Sequence, residues 1–343
     1  MKPRKLHDVG QSIWLDNITR DLLTSGTLGR YIDELSVTGL TSNPTIFDQA
    51  FLHTDAYDCA IARALARGLS PEDTFFEIAI DDLREAADHF RAIWEGTGGV
   101  DGWVSLEVSP LLAYDPLSTL EQAKRLHATA GRPNLFIKIP GTPEGLPAIE
   151  EAILAGVPVN VTLLFSREHY LAAAEAYMRG LERRVEAGLE PNVASVASVF
   201  VSRWDTAVGS IGLGVAMAKR TYGVYRDLLE SARWRRLAEL GARPQRLLWA
   251  STGVKDPGAP DTLYVTALAA PGTVNTMPEA TLLAFADHGR LDGRLQPDDW
   301  AGTEVDVDLI ELSERLQSEG AESFNRSWVE LLETIARKSK AAA

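Results

Sequence analysis

The sequence has 343 residues, 45% of them hydrophobic and 24% charged, proportions of a globular chain long enough for one large or two ordinary domains. Its 34 Lys and Arg stand against 48 Asp and Glu, a net charge of −14. That balance argues against a nucleic-acid binder, which would need a basic face, and leaves an anionic substrate to be held by a few local cations. One cysteine, Cys59, rules out an internal disulfide, as expected of a cytoplasmic chain, and no apolar run approaches the length of a membrane span.

The start, Met1 to Lys5, is basic but is followed by no apolar signal core. Short apolar strands then alternate with amphipathic helices. The first two candidate strands lie near 12–16 and 38–43. Additional helices are expected over about 48–97, with Cys59 in an alanine-rich helical setting that suggests a packing role. The helix from Pro71 has Ser70 as its N-cap, proline in its first position, and Glu72 and Asp73 in its first turn. Its Phe75, Ala79, Leu83, Ala86, Phe90 and Ile93 recur at helical spacing, and His89 belongs at its surface or core edge.

Further strands are expected near 103–108, 134–139, 157–163 and 194–201. A helix runs from Arg167 to about Ala187 with Gly188 past its end, and the chain reads helical again between Thr206 and Leu240. The glycine-rich stretch Gly209 to Gly214 lacks dinucleotide-binding spacing and reads as a loop before a helix near Val215. Strands near 246–252 and 272–276 bring the total to eight. A last helical segment, about 305–338, carries the stripe Phe324, Trp328, Leu331 and Ile335, and the tail 338–343 is expected to fray. Strict alternation implies a parallel sheet, and eight units favour a closed (β/α)8 TIM barrel, here with additional helices and one domain over 1–343. The six scattered histidines show no metal-ligand spacing, so no metal is expected.

In a barrel, alternate strand residues face the axis and the surrounding helices. Sorted this way, Trp14 and Asp16 oppose Ile13 and Leu15, Thr41 and Asn43 share a face, and Ser105, Glu107 and Ser109 alternate with Leu106 and Val108. Phe136 and Lys138 oppose Leu135, Ile137 and Ile139; Asn160 and Thr162 alternate with Val157, Val159, Val161 and Leu163; Ser198 and Phe200 share a face. Six strands thus place a polar residue opposite their apolar stripe, usually near the C-terminal end, where barrel active sites are built. Any one of them could cap a loop or line a hydrated mouth. Together, two carboxylates, a lysine and several hydrogen-bonding groups read as a site.

Lys138 is the most telling member, because it sits inside the apolar run Asn134 to Gly141. A buried amine sheds its proton more readily than a surface one, and a neutral amine can attack a carbonyl and form a Schiff base. The structural alternatives are a lysine that snorkels to the strand end or pairs with a carboxylate.

At these residues the chain resembles the transaldolase family. The resemblance is carried by Trp14-Leu15-Asp16, Leu40 to Phe47 with its Thr-Ser-Asn-Pro turn, Ser105 to Pro110, the segment 134–145 and Val159 to Ser166. Val199 to Arg203, Trp249 to Gly253 and Val274 to Pro278 complete it, so that it spans about residues 10–335 in order. It implies a class I aldolase-type (β/α)8 barrel that uses no metal and no organic cofactor. Sugar phosphates are the implied substrates: a dihydroxyacetone unit passes from sedoheptulose 7-phosphate to glyceraldehyde 3-phosphate, giving erythrose 4-phosphate and fructose 6-phosphate in the pentose phosphate pathway. A monomer or a homodimer would fit.

The resemblance also implies roles. Lys138 would attack the C2 carbonyl of the donor, and Asp16 would take the C4 hydroxyl proton as the C3–C4 bond opens. Glu107, with a water positioned by Thr162, would shuttle protons during imine formation and hydrolysis. Asn43 and Asn160 would bind hydroxyls of the three-carbon unit, and Ser198 and Phe200 would complete the wall. Arg203 offers a fork for the phosphate, unless it forms an ion pair with Asp205. Where many relatives carry an arginine, this chain reads Ser251-Thr252-Gly253-Val254-Lys255, so Ser251 and Lys255 would share the phosphate. Two readings compete: a fructose 6-phosphate aldolase that releases free dihydroxyacetone, and a noncatalytic sugar-phosphate-binding barrel. The carboxylates with Lys138 argue against the second, since binding alone needs no nucleophile.

Overall fold

The computed structural model describes residues 2–291, 295 and 307–341. Eight parallel strands close into a barrel in sequence order: β1 (Gln11–Asp16), β2 (Val37–Thr41), β3 (Trp103–Glu107), β4 (Leu135–Pro140), β5 (Val159–Leu164), β6 (Ser195–Phe200), β7 (Arg246–Ala250) and β8 (Thr273–Met277). The alternation of side chains builds two apolar layers. Ile13, Leu15, Leu135, Ile137, Ile139, Val159 and Val161 face outward and pack beneath the helices. Trp14, Phe136, Val196, Leu248 and Val274 face the axis. The barrel is therefore a packed core along most of its length.

One strand departs from simple alternation. Leu163 was expected on the outward face of β5 with Val161, but its side chain belongs to the inner cluster and Leu164 takes the outward place. The pairing of β5 with β6 shifts between Val161 and Leu164, and Leu163 adopts a left-handed backbone (φ 60°), which turns the chain by one residue.

The stretch after β2 forms four helices, Pro44–His53, Asp58–Ala66, Pro71–His89 and Arg91–Gly96. Ser70 caps the third of these through the backbone N–H of Asp73. Cys59, expected to pack, is exposed on the second, because that short helix buries only Ile61 and Ala64. The helical stretch between Thr206 and Leu240 is divided into Ser202–Val208, Leu213–Glu230 and Ala232–Glu239, separated at Gly209 in its left-handed conformation and at Ser231. A short helix, Arg4–Val9, precedes β1.

The C-terminal helix, Leu309–Ala341, lies across Pro44–His53 and Pro71–His89. Its Trp328 meets Phe75 edge-on at 4.9 Å, and Thr45 donates to Ser327 at 2.8 Å. Lys338, where fraying was expected to begin, donates to the Thr54 carbonyl at 3.0 Å and pairs with Asp58. Residues 305–306 of the expected helical segment and 342–343 of the tail lie outside the described residues.

Aromatic rings form a layer across the barrel interior, above a cavity of about 460 Å³ at its N-terminal end lined by Gln11, Ser12, Trp103, Phe136 and Val196, among others. Trp103 stacks on Phe136 at 4.1 Å, and the Trp14 indole N–H donates to Asp101 at 2.7 Å. Gly39 on β2 makes room for this: a Cβ there would lie 2.7 Å from Trp14 Nε1 and 2.6 Å from the Trp103 carbonyl. Gly39→Ala should therefore overpack the barrel and lower the unfolding free energy by about 1–3 kcal/mol in urea titrations followed by fluorescence. An unchanged midpoint would show that the ring layer has slack.

Candidate active site

Lys138 and Glu107 are cross-strand neighbours, paired in register between β4 and β3, and Asn160 is the next residue around in β5. The closed barrel turns these side chains inward at the C-terminal end of the sheet. Lys138 is 5% exposed and Glu107 is 4% exposed. The Lys138 ammonium donates to Glu107 Oε2 at 3.0 Å and to the Ser42 carbonyl at 2.9 Å. Ser42 is itself fixed, because its hydroxyl donates to the Ser105 carbonyl at 2.8 Å. The nucleophile expected from sequence therefore has both a carboxylate partner and a fixed position.

The two carboxylates occupy different settings. Burial pushes the Glu107 carboxyl above its ordinary range, and Asp16 adds to the rise while Lys138 opposes it. Glu107 Oε1 and Thr162 Oγ1 are both buried without a hydrogen-bond partner in the protein, polar atoms with capacity for a bridging group. Asp16, at the end of β1, is half-buried and accepts a hydrogen bond from Thr41 at 2.8 Å. Thr41 lies within 2.7 Å of Thr276 across the β1 end. Burial raises the Asp16 carboxyl too, opposed first by the Thr41 hydrogen bond and then by Lys138 and Lys255.

These groups open onto a cavity of about 570 Å³ lined by Asp16, Lys138, Thr162, Ser198, Phe200 and Arg203, among others. Asn43, Ser251 and Lys255 also reach it. Asn43 does so differently from expectation. Strand β2 ends at Thr41, and Asn43 is the N-cap of Pro44–His53, accepting from the Ile46 N–H at 3.0 Å with Pro44 behind it. Asn160 and Glu107 do not line the cavity. The Asn160 carboxamide is bonded within the protein on both sides, donating to Ser105 Oγ at 3.2 Å and accepting from Ser198 Oγ at 2.7 Å. It orients Ser198 from beneath instead of facing the cavity.

Arg203 stands on the first turn of the helix after β6, with its guanidinium carbon 5.4 Å from the centre of the Phe200 ring and 5.9 Å from that of Phe324. The alternative of an ion pair with Asp205 does not hold, because that carboxylate accepts from the Gly214 N–H at 2.7 Å and the Tyr264 hydroxyl at 2.8 Å. Arg203 is half-buried over two aromatic faces, and none of the hydrogen bonds or ion pairs among the described residues uses it. Such a guanidinium is suited to an anion. Ser251, in a left-handed conformation at φ 55°, places its hydroxyl 2.8 Å from that of Ser202, and Lys255 is exposed at the rim.

The cavity residues not expected from the sequence include Thr276 and Phe324, and Thr41 in its role as the partner of Asp16. Thr41 was legible as an inward residue one strand from Asp16. Phe324 was not, because its helical spacing with Trp328, Leu331 and Ile335 is that of an ordinary core stripe. Among the described residues, no group of three or more His, Cys, Asp or Glu side chains is arranged to hold a metal ion.

Residues 13–335 match the sequence pattern of the Transaldolase/Fructose-6-phosphate aldolase family. The transaldolase of Thermobifida fusca is 46% identical over 358 residues, covering 98% of this chain and 97% of that protein. The transaldolase of Frankia alni is 44% identical, with 97% and 96% covered, and transaldolase 2 of Streptomyces coelicolor is 42% identical, with 99% and 98% covered.

The raised Asp16 carboxyl has a measurable consequence. The folded chain holds this proton more tightly than the unfolded chain, so ionising Asp16 costs stability at pH 7, and the cost disappears below the unfolded carboxylate value of about 3.9. Asp16→Asn should raise the urea midpoint at pH 7, with a gain that vanishes as the pH falls towards about 4. Equal midpoints at pH 7 would mean that Thr41, Lys138 and Lys255 fully offset the burial.

Proposed function

The chain belongs to the transaldolase/fructose-6-phosphate aldolase family, and we propose that it is a transaldolase, moving a dihydroxyacetone unit between sugar phosphates through a Schiff base on Lys138. The observation that carries this reading is Lys138, buried against Glu107 and lining a cavity that is also lined by Arg203, whose guanidinium makes no hydrogen bond or ion pair among the described residues. The near full-length relatives, all transaldolases, favour transfer over release.

The geometry supports a reaction in the following order. Glu107 Oε2, 3.0 Å from Nζ, takes a proton from the ammonium, and the free amine adds to the C2 carbonyl of the donor. Loss of water from the carbinolamine needs a proton delivered to the leaving hydroxyl. Glu107 supplies it, with a water held between its Oε1 and Thr162 Oγ1. The resulting iminium draws electrons from the C3–C4 bond while Asp16 takes the proton of the C4 hydroxyl. The bond breaks to give an aldose phosphate and an enamine on Lys138.

A second aldehyde then enters, the enamine carbon attacks it, and Asp16 returns its proton to the new alkoxide. Addition of water to the iminium frees the product ketose. A carboxyl that burial raises above its ordinary value gives up its proton less readily than a surface one, which suits both directions of this proton transfer. Asn43 and Ser198 hold the hydroxyls of the enamine, with Asn160 fixing Ser198. Arg203, Ser251 and Lys255 take the phosphate. On this reading the donor and acceptor are sedoheptulose 7-phosphate and glyceraldehyde 3-phosphate, and the chain is assigned to the pentose phosphate pathway and to the cytoplasm. No helix among the described residues is long and apolar enough to cross a membrane.

Incubation with fructose 6-phosphate followed by borohydride reduction should leave a stable adduct, located on Lys138 by peptide mass spectrometry. An adduct on another lysine would refute the mechanism. Lys138→Ala should lower turnover at least about a thousandfold, equivalent to ~4 kcal/mol of barrier. Turnover of fructose 6-phosphate should also depend on added erythrose 4-phosphate; rapid release of dihydroxyacetone without acceptor would make the chain an aldolase.

A further inference from the structure

The C-terminal helix approaches the barrel mouth through one face, formed by Gln317, Gly320 and Phe324 at helical spacing. Gln317 is buried, and its amide donates to two carbonyls, Gly141 at 3.1 Å and Leu163 at 2.9 Å. Gly141 follows the strand of Lys138, and Leu163 is the left-handed residue after Thr162. The helix is thereby tied to the ends of β4 and β5. One turn on, Gly320 permits close approach: a Cβ there would lie 3.0 Å from Leu163 Cδ2 and 3.3 Å from Arg203 Nη1. A glycine inside a long helix lowers helix stability, so its place here follows from contact with the barrel.

The next turn delivers Phe324, which is 6% exposed. Its ring centre is 5.9 Å from Lys138 Nζ and also 5.9 Å from the Arg203 guanidinium carbon. It completes with Phe200, 6.4 Å away, the aromatic bed on which Arg203 rests. A donor joined to Nζ at C2 and to the guanidinium through its phosphate would pass this ring. Arg203 makes no hydrogen bond or ion pair to another described residue, so these two rings, with the more distant charge of Glu319, are the contacts that orient it.

We propose that Phe324 is a positioning residue that selects phosphorylated donors, by holding the Arg203 fork over the cavity that Lys138 also lines. The proposal rests on the transaldolase reading and deepens it. It extends the specificity apparatus to a helix outside the barrel, with Gln317 and Gly320 setting how far the ring reaches.

The test measures half-saturation of borohydride-trapped adduct with fructose 6-phosphate and with dihydroxyacetone, which has no phosphate. Phe324→Leu keeps an apolar side chain but removes the ring face, and should raise the half-saturating concentration of fructose 6-phosphate about tenfold. The change for dihydroxyacetone should be several times smaller. Phe324→Tyr, which keeps the ring, should stay near the parent chain. Gly320→Ala, whose methyl would press on Leu163 and Arg203 and so shift the reach of the ring while keeping the ring itself, should weaken fructose 6-phosphate selectively as well, so the question stays answerable if the leucine variant folds poorly. Equal losses for both donors, or no loss for fructose 6-phosphate, would overturn the role given to Phe324. Failure of the parent chain to form an adduct on Lys138 would instead remove the transaldolase reading beneath it.

Discussion

A lysine and a glutamate are buried side by side near the axis of a barrel, 3.0 Å apart. Either charge alone would be costly there, and even the pair repays its desolvation only when its geometry is fixed. Much of the fold can be understood as fixing it. The register of β3 against β4 sets Glu107 level with Lys138. The Ser42 carbonyl, held by Ser105, takes a second proton of the ammonium. Replacing the pair with apolar residues would give a simpler core, so the motive for keeping it is chemical.

The barrel interior is layered accordingly. Rings of Trp14, Trp103 and Phe136 form a floor across the barrel, with Gly39 thinned to admit them. Above this floor the inward positions turn polar: Asp16, Thr41, Lys138, Asn160, Thr162 and Ser198. Two of these, Asn160 and Thr41, serve the others, orienting Ser198 and Asp16 from the adjacent strand. At the rim, Arg203 lies across aromatic faces and forms no ion pair among the described residues, which leaves its donors for a ligand. The gradient from apolar to polar to cationic runs along the direction in which a phosphorylated sugar would lie.

How much of this is legible in a sequence depends on the range of the forces involved. Strand alternation has a strict period of two, so the inward positions of Asp16, Glu107, Lys138, Asn160 and Ser198 follow from counting. Leu163 breaks the count because a single left-handed residue is invisible to periodicity. Asn43 leaves its supposed strand because Asn followed by Pro is equally a helix start, and the cap wins when the strand ends at Thr41. Whether an inward polar side chain faces a cavity or another side chain, as with Asn160, depends on neighbours two strands apart. Phe324 is the extreme case, since its helical stripe gives no sign that its first member leaves the helix core for the barrel mouth. Cys59 erred the other way: an alanine-rich setting looked buried, while the helix buries only one edge.

The closed strand order has one further implication. Strand β1, which carries Asp16, hydrogen-bonds to β2 on one side and to β8 on the other. At ordinary rates of translation, β8 leaves the ribosome roughly ten to fifty seconds after β1. Throughout that interval one edge of β1 has no partner, and an unpaired edge is where strands of different chains join. Ring closure is thus a late, long-range event in the birth of the molecule, of the slow kind expected where contacts span most of the sequence. The half-built barrel would be the form most in need of a chaperone.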